Sequence, residues 1–188
     1  MAHGNLDKKF SPGRLLNRPF LIILLIFCAC SAKEPPLSPA AASFKQEVKA
    51  CLQRLAAPLP GPVARQDVQA INKVLLAKVD PAIKLCRMCP FQIGVLDQHA
   101  DILARYPEKK EGTLNFSGYG LIDQVLKSRR ISQQRFFLQD GSEIYIIAVP
   151  LLHEGQMIGM LGLSLDAAEA LHRWGLTDKE FLTLDFNN

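Results

Sequence analysis

The apolar positions of this chain follow three successive rhythms. From Phe20 to Cys30 they form an unbroken run, Phe-Leu-Ile-Ile-Leu-Leu-Ile-Phe-Cys-Ala-Cys, directly after a basic stretch. From there to about residue 87 they recur at helical spacing. Phe44, Val48, Cys51 and Leu55 fall on one face of a helix over 43–56. Ser43, with Gln46 three residues on, has the form of its N-terminal cap, and Pro58-Leu-Pro60-Gly61-Pro62 stops it. Val68, Ile71, Leu75 and Val79 make the stripe of a second helix beginning at Ala64. Asp80-Pro81 predicts a break or kink in it, with Asp80 capping a short continuation to Cys86, because a residue before proline avoids the α region.

At Phe91 the period changes to 2. Phe91–Asp97 alternates, Gln98-His99-Ala100 turns, and Asp101–Tyr106 returns as a partner strand. Pro107 to Gly118 is polar and reads as a loop. Tyr119–Arg130 carries Leu121, Ile122, Val125 and Leu126 at the spacing of a short amphipathic helix. Three strands follow: Gln133–Gln139, Glu143–Leu152 and Gln156–Asp166. Asp140-Gly141 is a hairpin signal between the first two, and His153-Glu154-Gly155 separates the next pair. Ala167–Trp174 forms a last short helix stopped by Gly175, and Thr177-Asp-Lys-Glu180 opens one more turn. Helices first, then an antiparallel meander, is an α+β order with about five strands and helices packed alongside.

Composition narrows the function. At 188 residues the chain suits one domain with an appendage, and 48% hydrophobic against 21% charged residues excludes dominant disorder. Of the net +4, Lys8, Lys9, Arg14 and Arg18 against Asp7 supply +3, which leaves 18 basic and 17 acidic residues after residue 20. That balance removes nucleic acid as a partner. The basic start and the apolar run, too short for the ~20 residues of a membrane span, read as a signal peptide over 1–30. Its end resembles a bacterial lipobox, with Cys30 as the lipidated residue and the membrane as partner through that anchor. Ser31, in place of a retention aspartate, favours the outer membrane on the periplasmic side of the envelope. Residues 31–42 are rich in Pro and Ala and form an extended tether, and 43–188 form the single domain.

The segments IGVLDQHADILARYP, NFSGYGLIDQVLKSRR and QRFFLQDGSEIYIIAVPLLHEGQMIGMLGLSLD, together spanning much of Phe91–Asp166, resemble a Cache domain, the PAS-like extracellular sensor fold of bacteria. The first turn has Ala100 where such domains commonly carry glycine. The resemblance implies a pocket between the sheet and the loop-plus-helix from Tyr106 to Arg130. Its expected contributors are Tyr119, Arg135 and Tyr145, with Phe116 and Phe137 as walls. Arg135 suits a carboxylate ligand, so a small polar metabolite of that kind is the expected guest. Whether Arg135 shares a face with Tyr145 depends on the hairpin. A two-residue Asp-Gly loop sets Arg135 beside Ile144 and Ile146, and one extra residue moves it onto the face of Tyr145. Both registers are open at this point.

Cys86-Arg-Met-Cys89 lies after a helix and before a strand, the reverse of a thioredoxin-type site, and no neighbouring histidine completes a metal site. A structural disulfide is expected, Cys86 pairing with Cys89 or with Cys51. Neither nucleophile-elbow nor paired-carboxylate patterns occur, so no enzyme and no cofactor is expected. The reading is therefore an exported sensor that binds a small molecule and signals through a partner protein. Its rivals are a thiol-disulfide protein using Cys86 and Cys89, and a structural envelope lipoprotein with no ligand.

Overall fold

A computed structural model describes residues 36–86, 91–107 and 115–188, with the side chains of 79–86 and 91 left aside. The segment read as signal peptide and lipidation site, Cys30 included, lies outside the described residues.

The first helix, α1, runs Pro39–Ala56 and starts four residues before the expected Ser43. Ser38 is its cap, accepting from the Ala41 amide at 3.1 Å, and Pro39 takes the first turn, where its missing N–H leaves no bond unmade. Ser43 is thereby interior to the helix, its hydroxyl 3.3 Å from Glu47 Oε1. The stripe Phe44, Val48, Cys51 and Leu55 is fully buried, as its spacing requires. The proline-rich stop is itself one turn of helix, α2 (Pro60–Ala64), because Pro60 again stands at an N-terminal position. Helix α3 spans Val68–Cys86. Asp67 Oδ1 accepts from the Ala70 amide at 2.9 Å, which fixes the start four residues after Ala64. Of the two expectations at Asp80-Pro81, a break or a kink, the break does not occur: the helix continues through both residues.

Five strands form one antiparallel sheet: β1 (Phe91–Asp97), β2 (Ile102–Tyr106), β3 (Ser132–Phe137), β4 (Glu143–His153) and β5 (Gln156–Asp166). Their order is β2-β1-β5-β4-β3, so two hairpin-built halves join where the last strand closes on the first. Between the halves lies α4 (Gly120–Ser128), and after the sheet come α5 (Ala167–Trp174) and α6 (Asp178–Thr183). Asp166 caps α5 by accepting from the Glu169 amide at 2.9 Å. Gly175 ends it at φ 68°, a left-handed conformation that costs glycine nothing. A capping box between Thr177 and Glu180 starts α6.

The sheet separates two apolar clusters. On one side Ile93, Val95, Tyr145, Ile147, Leu161 and Leu163 meet α1, α2, α3, α5 and α6. Phe44 is the hub there, with Trp174, Phe181 and Phe186 edge-on at ring distances of 5.3, 6.4 and 6.5 Å. A fully buried aromatic of this kind contributes about 1.5–3 kcal/mol from area alone. On the other side Leu96, Ala148 and Met160 meet Leu121, Ile122 and Val125 of α4. No helix among the described residues is long and apolar enough to cross a membrane.

Candidate functional site

The β3–β4 hairpin decides which candidates can meet. Its loop is three residues long: Leu138 and Ser142 close it, the Leu138 amide donating to the Ser142 carbonyl at 2.8 Å, with Gly141 at φ 83°. Asp140 Oδ1 accepts from both the Ser142 amide and hydroxyl, at 2.9 and 2.6 Å, and these bonds hold its carboxyl below the usual aspartate range. A three-residue loop with glycine in the left-handed position adds the one residue that sets Arg135 directly opposite Tyr145. Paired residues share a face.

That face is the one covered by the helices, away from α4. The Tyr145 ring stacks on Phe181 at 3.9 Å, and its hydroxyl donates to Asp178 Oδ1. Arg135 Nη1 donates to Asp178 Oδ2 and, at 3.5 Å, to Glu143 Oε2, while the guanidinium lies 4.7 Å over the Phe137 ring. Burial above all, then donation to Asp178, pushes the Tyr145 phenol well above its ordinary range. Two expectations are corrected here. Arg135 is held by two carboxylates of its own chain and does not stand open to a carboxylate ligand. Arg135, Phe137 and Tyr145 lie on the opposite face from Phe116 and Tyr119, so the five candidates do not line one pocket.

Sequence reading missed Asp178, which ties this cluster together from 43 positions beyond Arg135. The only signal was the Thr177-Asp-Lys-Glu180 cap, which marks a helix start and says nothing of a charge partner.

The α4 face has a different make-up. Cross-strand pairing lines up Arg105, Gly94, Gly162, Ala148 and Ser132 in one row across all five strands. The three central members have no side chain beyond a methyl group. An added Cβ at Gly162 would find nothing nearer than the Gly94 carbonyl at 3.8 Å, and at Gly94 nothing nearer than 3.7 Å. Ser164 and Ile146 form the next row, and Gly94, Gly162, Ser164 and Ile146 all remain half-buried. Phe116, Tyr119 and Phe136 make an aromatic run beside them, with ring distances of 5.7 and 6.3 Å. The strap carrying Phe116 is pinned to the β1–β2 turn: Phe116 N–H donates to the Ala100 carbonyl at 2.9 Å, and Asn115 Nδ2 donates to Asp101 Oδ1 at 2.7 Å. Ala100 sits at φ 67°, which accounts for the glycine commonly found at that turn.

Cys51 is fully buried on α1, whereas Cys89 and the Cys86 side chain lie outside the described residues, as does the loop over 108–114. No group of His, Cys, Asp and Glu suited to a metal ion occurs among the described residues.

No family model and no curated protein matches the chain. Solved structures do. The extracellular domain of a protein assigned as a histidine kinase, vpHK1S-Z8, aligns at TM-score 0.58 and 15% identity over 74% of this chain and 57% of that one. The ligand-binding domain of the Pseudomonas fluorescens chemoreceptor CtaA, in complex with L-isoleucine, aligns at 0.53 and 13% over 71% and 54%. That of the Pseudomonas aeruginosa chemoreceptor PctB, in complex with L-glutamine, aligns at 0.52 and 12% over 78% and 56%. The chain spans little more than half the length of these domains. It has the Cache/PAS-like fold of extracellular sensor domains, a five-stranded antiparallel sheet with helices on both faces.

Proposed function

We propose that this chain is an exported, lipid-anchored sensor domain that binds a small polar metabolite on the α4 side of its sheet and acts through a partner protein. The observation that carries the reading is the Gly94–Gly162–Ala148 row, half-buried at the two glycines and fully buried at Ala148, where three central strands give up the bulky side chains that elsewhere fill both clusters. Sites for small molecules combine apolar walls with a few placed polar groups. Here Phe116 and Phe136 serve as walls, and Tyr119, Ser164 and Arg105 supply the polar groups. The chemoreceptor domains of like fold that hold L-isoleucine and L-glutamine support a ligand of amino-acid size. Export and anchoring rest on the basic start, the apolar run to Cys30 and the tether after it. A ligand that binds one arrangement of strap, α4 and sheet better than another shifts the domain toward it, and a partner reads the difference.

The test is a thermal-shift screen of the full chain against amino acids, small carboxylates, amines and sugars, run beside Gly162→Val. At a hundredfold excess over Kd a ligand adds about 2.7 kcal/mol, a Tm rise of roughly 5–11 °C at ~2–4 °C per kcal/mol for a domain of this size. The expected result is such a rise in the parent chain and its loss in a folded Gly162→Val. No rise with any compound, or an undiminished rise in the variant, overturns the reading.

A further inference from the structure

On the opposite face, where the β3–β4 hairpin meets α5 and α6, the surface opens into a groove of about 480 Å³. Its apolar wall is Ala168, Leu171 and Leu176, and Leu171 is 54% exposed although it borders the concavity. Glu143, Asp166 and Asp178 bring three carboxylates to it, and no Lys, Arg or His lines it among the described residues. Arg135 is shared between Glu143 and Asp178, so the three carboxylates outnumber the positive charge paired with them. We propose that this groove is a second binding site, for a small organic cation with an alkyl body and one or two ammonium groups, and that its occupant bears on the first turn of α1. An alkyl chain covers Leu171, and an ammonium adds positive charge beside three carboxylates of which Glu143 and Asp178 already share Arg135 and Asp166 caps α5. The volume falls in the range of small-molecule sites.

The link to α1 runs through the groove's own wall. Thr177 and Asp178 line the groove and open α6. Glu180, one turn on, closes the capping box with Thr177 and accepts from the hydroxyl of Ser38, the cap of α1. Leu171 lies one turn from Trp174, whose ring meets Phe44 of α1 at 5.3 Å. Movement of α5 or α6 around a guest thus reaches α1 by two separate contacts.

Trp174 is the only tryptophan of the chain and lies on α5 one turn from the groove residue Leu171, against Phe44 of α1, so its emission reports on the α5–α1 contact beside the groove. The experiment titrates the full chain with 1,4-diaminobutane at constant ionic strength, with butyrate and 1-butanol as controls, and follows amide exchange of residues 39–42 in parallel. The expected result is a saturable emission change with the diamine alone, at least tenfold weaker in Glu143→Gln and lost in Ala168→Phe, with exchange at 39–42 slowed. A response equal for butyrate, or one retained in Ala168→Phe, overturns the site. Unchanged exchange at saturation overturns the link to α1. Gly162→Val keeps the diamine response, which separates this site from the one on the α4 face.

Discussion

Two glycines of β5, three positions apart, should respond to alanine with opposite signs. At Gly162 a Cβ meets nothing within 3.8 Å, the backbone is in the ordinary extended range, and the methyl group only reduces the freedom of the unfolded chain. Such a change stabilises by about 0.4–1 kcal/mol. At Gly159 the same atom would run into the Leu96 carbonyl oxygen, with Val63 Cγ1 at 3.1 Å and Asp97 Cα at 3.2 Å. Two of those three neighbours are backbone, and Gly159 is paired on both sides, to Asp97 and to Leu151, so neither strand can retreat alone. Overpacking of this kind costs about 1–3 kcal/mol. The two variants should therefore differ by about 1.5–4 kcal/mol, a separation of roughly 3–16 °C in Tm at ~2–4 °C per kcal/mol. Urea unfolding and scanning calorimetry of both read the difference directly. Equal shifts, or a Gly162→Ala less stable than Gly159→Ala, would refute the claim that the α4 face has room at its centre while the β1–β5 crossing does not.

Other consequences concern the polar contacts. Tyr145→Phe removes a buried donor to a carboxylate and should cost about 1–2 kcal/mol at neutral pH. Because the folded phenol is held above its usual 10.0, its contribution is complete below pH 10 and declines as pH rises further; the gap between parent and variant, measured by denaturation, should narrow from pH 8 to pH 11. The Glu180 carboxyl is held below 4.5, first of all by the Ser38 hydroxyl, so its share of stability is present above that pH and lost on acidification. Ser38→Ala should raise the Glu180 titration midpoint seen by NMR, and an unchanged midpoint would show that the α1–α6 clasp does not persist in solution. Gly175→Ala should lower stability by about 1 kcal/mol by forcing alanine into the left-handed cap of α5, read by chemical denaturation.

Much of the architecture was legible because period alone carries it. The strands Phe91–Asp97 and Gln156–Asp166 end where alternation and turn residues place them, and the buried face of α1 follows from its four-three-four spacing. The helix starts were less legible, since Ser38-Pro39 sits inside a Pro/Ala-rich stretch whose composition suggests extended chain, and capping overrides it. Pro81 misled in the other sense, because helix α3 continues where local sterics favour a stop. The site was legible only in part. One residue of loop length, set by the Leu138–Ser142 closure, moves Arg135 across the sheet, and Asp178 reaches it from a distant helix start that carries no mark of that role. Gly94, Gly162 and Ala148 stand apart in sequence, and the row they form exists only through strand pairing.

The central claim, that a guest occupies the α4 face over the glycine row, is tested most directly by amide NMR of the labelled chain titrated with whichever amino-acid-sized compound raises Tm. Saturable shifts should cluster at Gly94, Gly162, Ser164 and Tyr119. Shifts confined to α1, α3 and the helix side of the sheet, with those four residues still, would contradict it.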